Sequence, residues 1–148
     1  MSVQPREFAA GAARIDGRSA FTAAVRLALS QAASERAREL CLVDPDFEAW
    51  PLEDPQILSA LTAWARLPKR QILVIAGRFD DLPRRCPRFT EWRRNWAHVV
   101  ECRATEVESS QIPTLLLAGA QTLQLADRLQ WRGHWLADDS EISPWREG

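Results

Sequence analysis

Residues 39–77, ELCLVDPDFEAWPLEDPQILSALTAWARLPKRQILVIAG, read in order as strand, loop, helix and strand. ELCLVD is a short apolar run ending at Asp44-Pro45, the pattern of a buried strand. The stretch PDFEAWPLEDP is acidic, aromatic and punctuated by proline, which marks a loop. Asp54-Pro55 starts a helix, with Asp as N-cap and Pro at the first helical position. Ile57, Leu58, Leu61, Trp64 and Ala65 give that helix one apolar face. Pro68-Lys69-Arg70 stops it, and QILVIAG is the clearest strand in the chain. Strands alternating with helices in this way argue for a sheet that is at least partly parallel.

Outward from this unit, Phe21, Val25, Ala28, Leu29 and Ala32 recur at helical spacing between residues 18 and 39, with Asp16 or Ser19 as cap. Residues 1–17 are Ala-rich and aperiodic, and are expected to form a flexible arm. Downstream, RFDDLPRRCP reads as loop, Phe89, Trp92 and Trp96 mark a short helix, and HVVECRA (98–104) is a third strand. After the polar connector TEVESSQIP, the stretch TLLLAGAQTLQLADR (114–128) is two apolar runs around a small turn, hence a β-hairpin. WRGHWLAD (131–138) is a candidate sixth strand, and EISPW begins a short helix capped by Asp139 or Ser140. The expectation is one α/β domain over residues 18–148, with a mixed, partly parallel sheet, helices on both faces and a C-terminal antiparallel hairpin.

The chain has 148 residues, enough for one domain with a sizeable core, and 46% hydrophobic against 26% charged residues is a globular balance. No apolar stretch is long enough to cross a bilayer and the N-terminus carries no secretory h-region, so a cytoplasmic location without membrane insertion is expected. Cys41, Cys86 and Cys102 are odd in number and far apart, which suits reduced thiols rather than a disulfide framework. The net charge of −1 hides an asymmetry. Between Arg66 and Arg103 there are ten Lys or Arg against four Asp or Glu.

No Gly-rich phosphate loop, GxSxG elbow or HExxH motif is present, and no cofactor is expected. His98 and His134 are the only histidines. His98, Cys102 and Cys86 lack the close pairs that announce zinc, so no metal is expected. Asp44, Asp46, Glu48, Glu53 and Asp54 crowd one loop. Of these Asp44, at the carboxyl end of a strand, is the best pocket candidate, with His98 as its companion. Arg78, Arg84, Arg85, Arg88, Arg93 and Arg94 form a basic cluster whose guanidinium forks suit phosphates, with Trp92 and Trp96 near enough to stack bases. The competing reading is a solvated or self-paired face, with the two Trp buried. Trp131 and Trp135 fall on one face of the last strand, where they are candidate interface anchors or ordinary core.

The order of elements, from the long helix through ARELCLVDPDFEAWPLEDPQILSALTAWAR, RQILVIAG and HVVECRA to TLLLAGAQTLQLADR and WRGHWLADD, resembles one half of the phospholipase D-like fold. It is similar to a family of uncharacterised bacterial domains of that shape. Active members of that superfamily carry His-x-Lys-x4-Asp before the late hairpin, the His attacking phosphorus. Here Gln111, Pro113 and Ala118 fall about where those three would stand. The one Lys is Lys69, and Leu67 precedes it by two, so His-x-Lys occurs nowhere. The resemblance therefore implies a degenerate, non-catalytic fold. Because such halves pair across the face that would hold the site, it also implies a homodimer or another protein partner. The leading expectation is an interaction or dimerisation domain. The alternative is RNA or phosphate-ligand binding through residues 78–94, with nucleic acid not favoured at a sequence pI near 6.1. The third is a hydrolase using Asp44, His98 or His134.

Overall fold

The computed structural model describes residues 14–119, 121–137 and 140–147. One seven-stranded sheet contains β1 (Arg14–Asp16), β2 (Glu39–Asp44), β3 (Gln71–Ala76), β4 (Val100–Ala104), β5 (Leu115–Ala118), β6 (Gln121–Asp127) and β7 (Arg132–Leu136), in the order β1-β7-β6-β5-β2-β3-β4. Among the described residues five helices accompany it: α1 (Arg18–Ser34), α2 (Pro55–Ala65), α3 (Leu82–Arg85), α4 (Pro87–Asn95) and α5 (Ser143–Glu147). Strands β2, β3 and β4 are parallel. Every other neighbouring pair is antiparallel, so the C-terminal hairpin extends into a meander.

Strand order dictates where the helices lie. The steps β1–α1–β2, β2–α2–β3 and β3–α4–β4 join strands of one direction and move across the sheet in one sense. Right-handed crossovers made in one sense place all their helices on one face. The main core follows this rule: Phe21, Val25 and Leu29 of α1, Ile57, Leu61 and Trp64 of α2 and Phe89 and Trp92 of α4 cluster on Leu40, Leu42, Ile72, Val74, Leu116 and Leu123. On the opposite face Cys41, Val43, Leu73, Ile75, Leu115 and Leu117 pack with Ile112, Ile142 and Trp145. The two faces expected to carry helices are thus unequal, three long helices on one and the five-residue α5 on the other.

Two boundaries differ from expectation. Residues 14–17, assigned to the flexible arm, belong to the fold. Ile15 is buried in the core, β1 pairs with β7, and the Gly17 N–H donates to the Trp131 carbonyl at 2.9 Å. Residues 1–13 lie outside the described residues. Helix α1 ends at Ser34 rather than running to residue 39. Arg36 adopts the left-handed conformation (φ 59°), its N–H donating to the Ala33 carbonyl and that of Ala37 to Ala32. This is a Schellman termination with Arg where Gly usually stands, so the sequence carries no stop signal there.

The acidic loop supplies the helix starts. Asp54 Oδ1 accepts from the Gln56 N–H at 2.8 Å, capping α2, while its Oδ2 accepts from Arg26 Nε of α1 at 3.1 Å. Glu53 accepts from the Arg88 N–H at 3.0 Å and so caps α4 from a distance. The Arg26 hydrogen bond holds the Asp54 carboxyl below its ordinary value. That contact therefore contributes stability above the ordinary carboxylate pKa and loses it as pH falls through the depressed folded one. Asp54→Asn, which keeps a capping oxygen but not the ion pair, is expected to lose at most about 1 kcal/mol at pH 7. In urea titrations its deficit should shrink as the pH is lowered below about 4. A second expectation concerns Gly133, where a Cβ would stand 2.0 Å from the Gln124 carbonyl oxygen on the neighbouring strand. Gly133→Ala must push backbone apart and is expected to cost about 2–3 kcal/mol, read as a Tm lower by several degrees.

Candidate functional site

Asp44 and Thr114 face each other where β2 ends and β5 begins, because Val43 pairs with Leu115 in the register of the two strands. The chain leaves β2 toward β3, while the 105–114 connector arrives at β5 on the other side. Such divergence at strand carboxyl ends opens a crevice in α/β sheets. Here it is a cleft of about 560 Å³ whose walls include Arg18, Asp44, Glu48, Ser110, Arg128 and Trp131.

Asp44 is buried at the floor, and both its oxygens are occupied. Oδ2 accepts from the Asp46 N–H at 3.1 Å and the Phe47 N–H at 2.6 Å. This clamps a turn in which Phe47 takes a left-handed φ of 63°. Oδ1 accepts from the Thr114 hydroxyl. Arg128, at the far end of the hairpin, donates from Nη1 to Thr114 Oγ1 at 3.0 Å and to the Ile112 carbonyl at 3.1 Å. It stands 3.9 Å from Asp44 Oδ1. On the facing wall the Arg18 guanidinium lies 5.3 Å from the Trp131 ring centre, a cation–π contact, and Trp131 rests on Phe21. Arg18 and Arg128 share the lining with Asp46 and Glu48, which makes the cleft electrostatically mixed rather than a single-sign anion trap.

Asp44 and His98 do not share a pocket. Asp44 lies in the row Asp44–Ala76–Ala104, whereas His98 precedes Val100, which lies in the opposite row with Ile72 and Leu40. Roughly 13 Å of strand separates those rows. His98 is exposed beside Trp96. His134 sits midway along β7 beside Arg14 of β1, away from the cleft. No histidine among the described residues lines the cleft with Asp44.

Half of the basic cluster, Arg84, Arg85 and Arg88, is tied to the acidic loop or to its own turn. Arg84 pairs with Asp81 at 2.9 Å. Arg85 donates to the Asp46 carbonyl at 2.9 Å and lies 3.7 Å from Glu48, and Arg88 lies 3.8 Å from Glu53. Arg78 and Arg94 are exposed, and Arg93 is half-buried against the Cys102 thiol. Trp92 is buried, its Nε1–H donating to Thr62 Oγ1 at 3.0 Å, and Trp96 is half-buried with its ring against those of Trp92 and His98. The candidate interface pair is corrected likewise. Trp135 is a core residue, 2% exposed, and Trp131 is half-buried against Phe21. β7 is not an edge strand, since β1 covers it.

Burial pushes the pKa of the Cys41 thiol up to about 12, and raises those of Cys86 and Cys102 as well. No group of three His, Cys, Asp or Glu able to hold a metal occurs among the described residues.

Thr114, Arg128 and Arg18 escaped sequence reasoning, although Thr114 and Arg128 bracket the hairpin motif. The usable signal is that hairpin pairing brings the two ends of its arms together. Nothing in the sequence aims those ends at Asp44, 70 residues from Thr114. Comparison with known protein families, curated proteins and solved structures yields no match to the chain.

The Asp44 network makes a stability prediction. Asp44→Ala strands two backbone N–H groups and the Thr114 hydroxyl, and is expected to cost about 3 kcal/mol or more. Thr114→Val keeps the shape, removes one partner and should cost about 1–2 kcal/mol. Urea unfolding midpoints check both, and an Asp44→Ala variant as stable as the parent would contradict the assignment.

Proposed function

We propose that the chain is a non-catalytic interaction domain on a degenerate phospholipase D-like half fold. The observation that carries this reading is the occupancy of Asp44. The position where an open α/β sheet would offer an acid or base holds a carboxylate with both oxygens engaged in holding the loop and the hairpin base. General acid–base work needs a group within reach of substrate and free to exchange a proton. Neither histidine lies beside it, and the buried thiols favour their protonated forms. The absence of His-x-Lys from the sequence supports the same reading. Within it, the cleft's serines and two guanidinium groups recognise rather than transform.

The reading is tested with purified protein against bis(p-nitrophenyl) phosphate and a p-nitrophenyl ester, with a labelled single-stranded RNA titrated at low and high salt. No turnover above buffer is expected, and no RNA binding that falls steeply with salt. Turnover lost in a folded Arg128→Gln or His134→Gln variant would overturn the non-catalytic reading. RNA affinity that collapses with salt would move the function to the exposed members of the arginine cluster.

A further inference from the structure

Among the described residues strand β4 has one neighbour, β3, and its other side is an open sheet edge. The Val99 carbonyl accepts from the Ile72 N–H at 2.9 Å and the Thr105 N–H donates to the Ala76 carbonyl at 2.9 Å. Residues 99, 101, 103 and 105 therefore turn their backbone groups toward β3, and Val100, Cys102 and Ala104 turn theirs outward. The Val100 N–H is taken by the Trp96 carbonyl at 3.1 Å. The Val100 carbonyl and the N–H and C=O of Cys102 and Ala104 remain on the open side. Proteins usually blunt such an edge with proline, charged side chains or a bulge; residues 100–104 hold no proline, lysine or bulge, and their two charges, Glu101 and Arg103, are of opposite sign.

We propose that this edge pairs with the same edge of a second copy, antiparallel and two-fold symmetric about Cys102. The proposal rests on the interaction-domain reading and names its partner. Outward groups must face outward groups, so the register can shift only in steps that keep this parity. Centred on Cys102, the pairing sets Val100 across from Ala104 of the second copy and Glu101 across from Arg103, and the two-fold axis repeats each pair. Centred on residue 101 it sets Glu against Glu, and centred on residue 103, Arg against Arg. Opposite charges across an antiparallel ladder stabilise and like charges destabilise. One register is thus self-complementary and its neighbours are penalised. Glu101 and Arg103 point to the face away from α4, are 53% and 34% exposed, and already meet at 3.3 Å within the strand. They are placed to exchange partners across the seam.

The same symmetry brings Arg93 and Arg94 of both copies, which line the groove between α4 and β4, toward one side of the seam. That repulsion, with a ladder of five residues, makes the association concentration-dependent rather than obligate.

Sedimentation equilibrium on the full chain tests the proposal. The parent should rise from 16.8 kDa toward twice that mass between about 1 and 500 μM. Glu101→Arg and Arg103→Glu should each stay monomeric alone. Their equimolar mixture should recover the dimer, because each Arg then meets a Glu. Recovery also shows that both variants fold, which matters because Arg103 additionally donates to the Arg146 carbonyl at 3.2 Å. A parent that stays monomeric throughout, or a mixture that does not recover, overturns the proposal. A parent dimer unaffected by either substitution also overturns it, while leaving the interaction-domain reading to stand on its own test.

Discussion

A single buried carboxylate couples the two halves of this sheet. Asp44 ends the parallel half, Thr114 begins the antiparallel half, and the contact between them spans 70 residues of chain. A carboxyl group out of water is costly unless it is hydrogen-bonded, and here two backbone N–H groups and a hydroxyl bond to its two oxygens. The turn it clamps begins the loop that carries Glu53 and Asp54, the caps of α4 and α2. The turn after β2 and the base of the hairpin therefore meet at one hydrogen-bonded side chain.

The fold was legible where local chemistry is strong. Asp54-Pro55 starts α2 at the expected residue, ELCLVD forms β2 over its full length, and the hairpin forms where two apolar runs flank a small turn. The distribution of helices over the two faces was not legible. Alternation of helix and strand is the same whether successive crossovers proceed in one sense or reverse, and only strand order distinguishes them. With all three steps in one sense, handedness sends α1, α2 and α4 to one face. The early end of α1 escaped for a local reason, because Arg36 occupies a left-handed position that sequence rules reserve for Gly or Asn.

The candidate site was legible only as an inventory. The acidic loop and the basic cluster each stand out in the sequence, but composition does not say that they neutralise one another. In the structure Arg85 and Arg88 reach back to Glu48 and Glu53. Asp44 could be singled out because it ends a strand, whereas Thr114 and Arg128 are ordinary hairpin-end residues until the β2–β5 register is known. The pairing of Asp44 with His98 failed for the same reason. Parallel strands put the start of β4 and the end of β2 at opposite rims, and that geometry exists only once both strands share a sheet.

An edge-paired dimer and a ligand-holding cleft make no conflicting demands on this fold. The cleft lies at the end of β2, two strands in from the β4 edge, and is bounded by α1, the connector and the β6–β7 turn rather than by α4. An antiparallel two-fold turns the carboxyl ends of the second copy's parallel strands toward the opposite rim. The two clefts of such a dimer therefore open in opposite directions, each with its full set of walls from one chain. Pairing of that kind completes no active site, unlike the face-to-face pairing implied by the phospholipase D-like resemblance. The proposed dimer would instead be bivalent, presenting its two clefts away from each other.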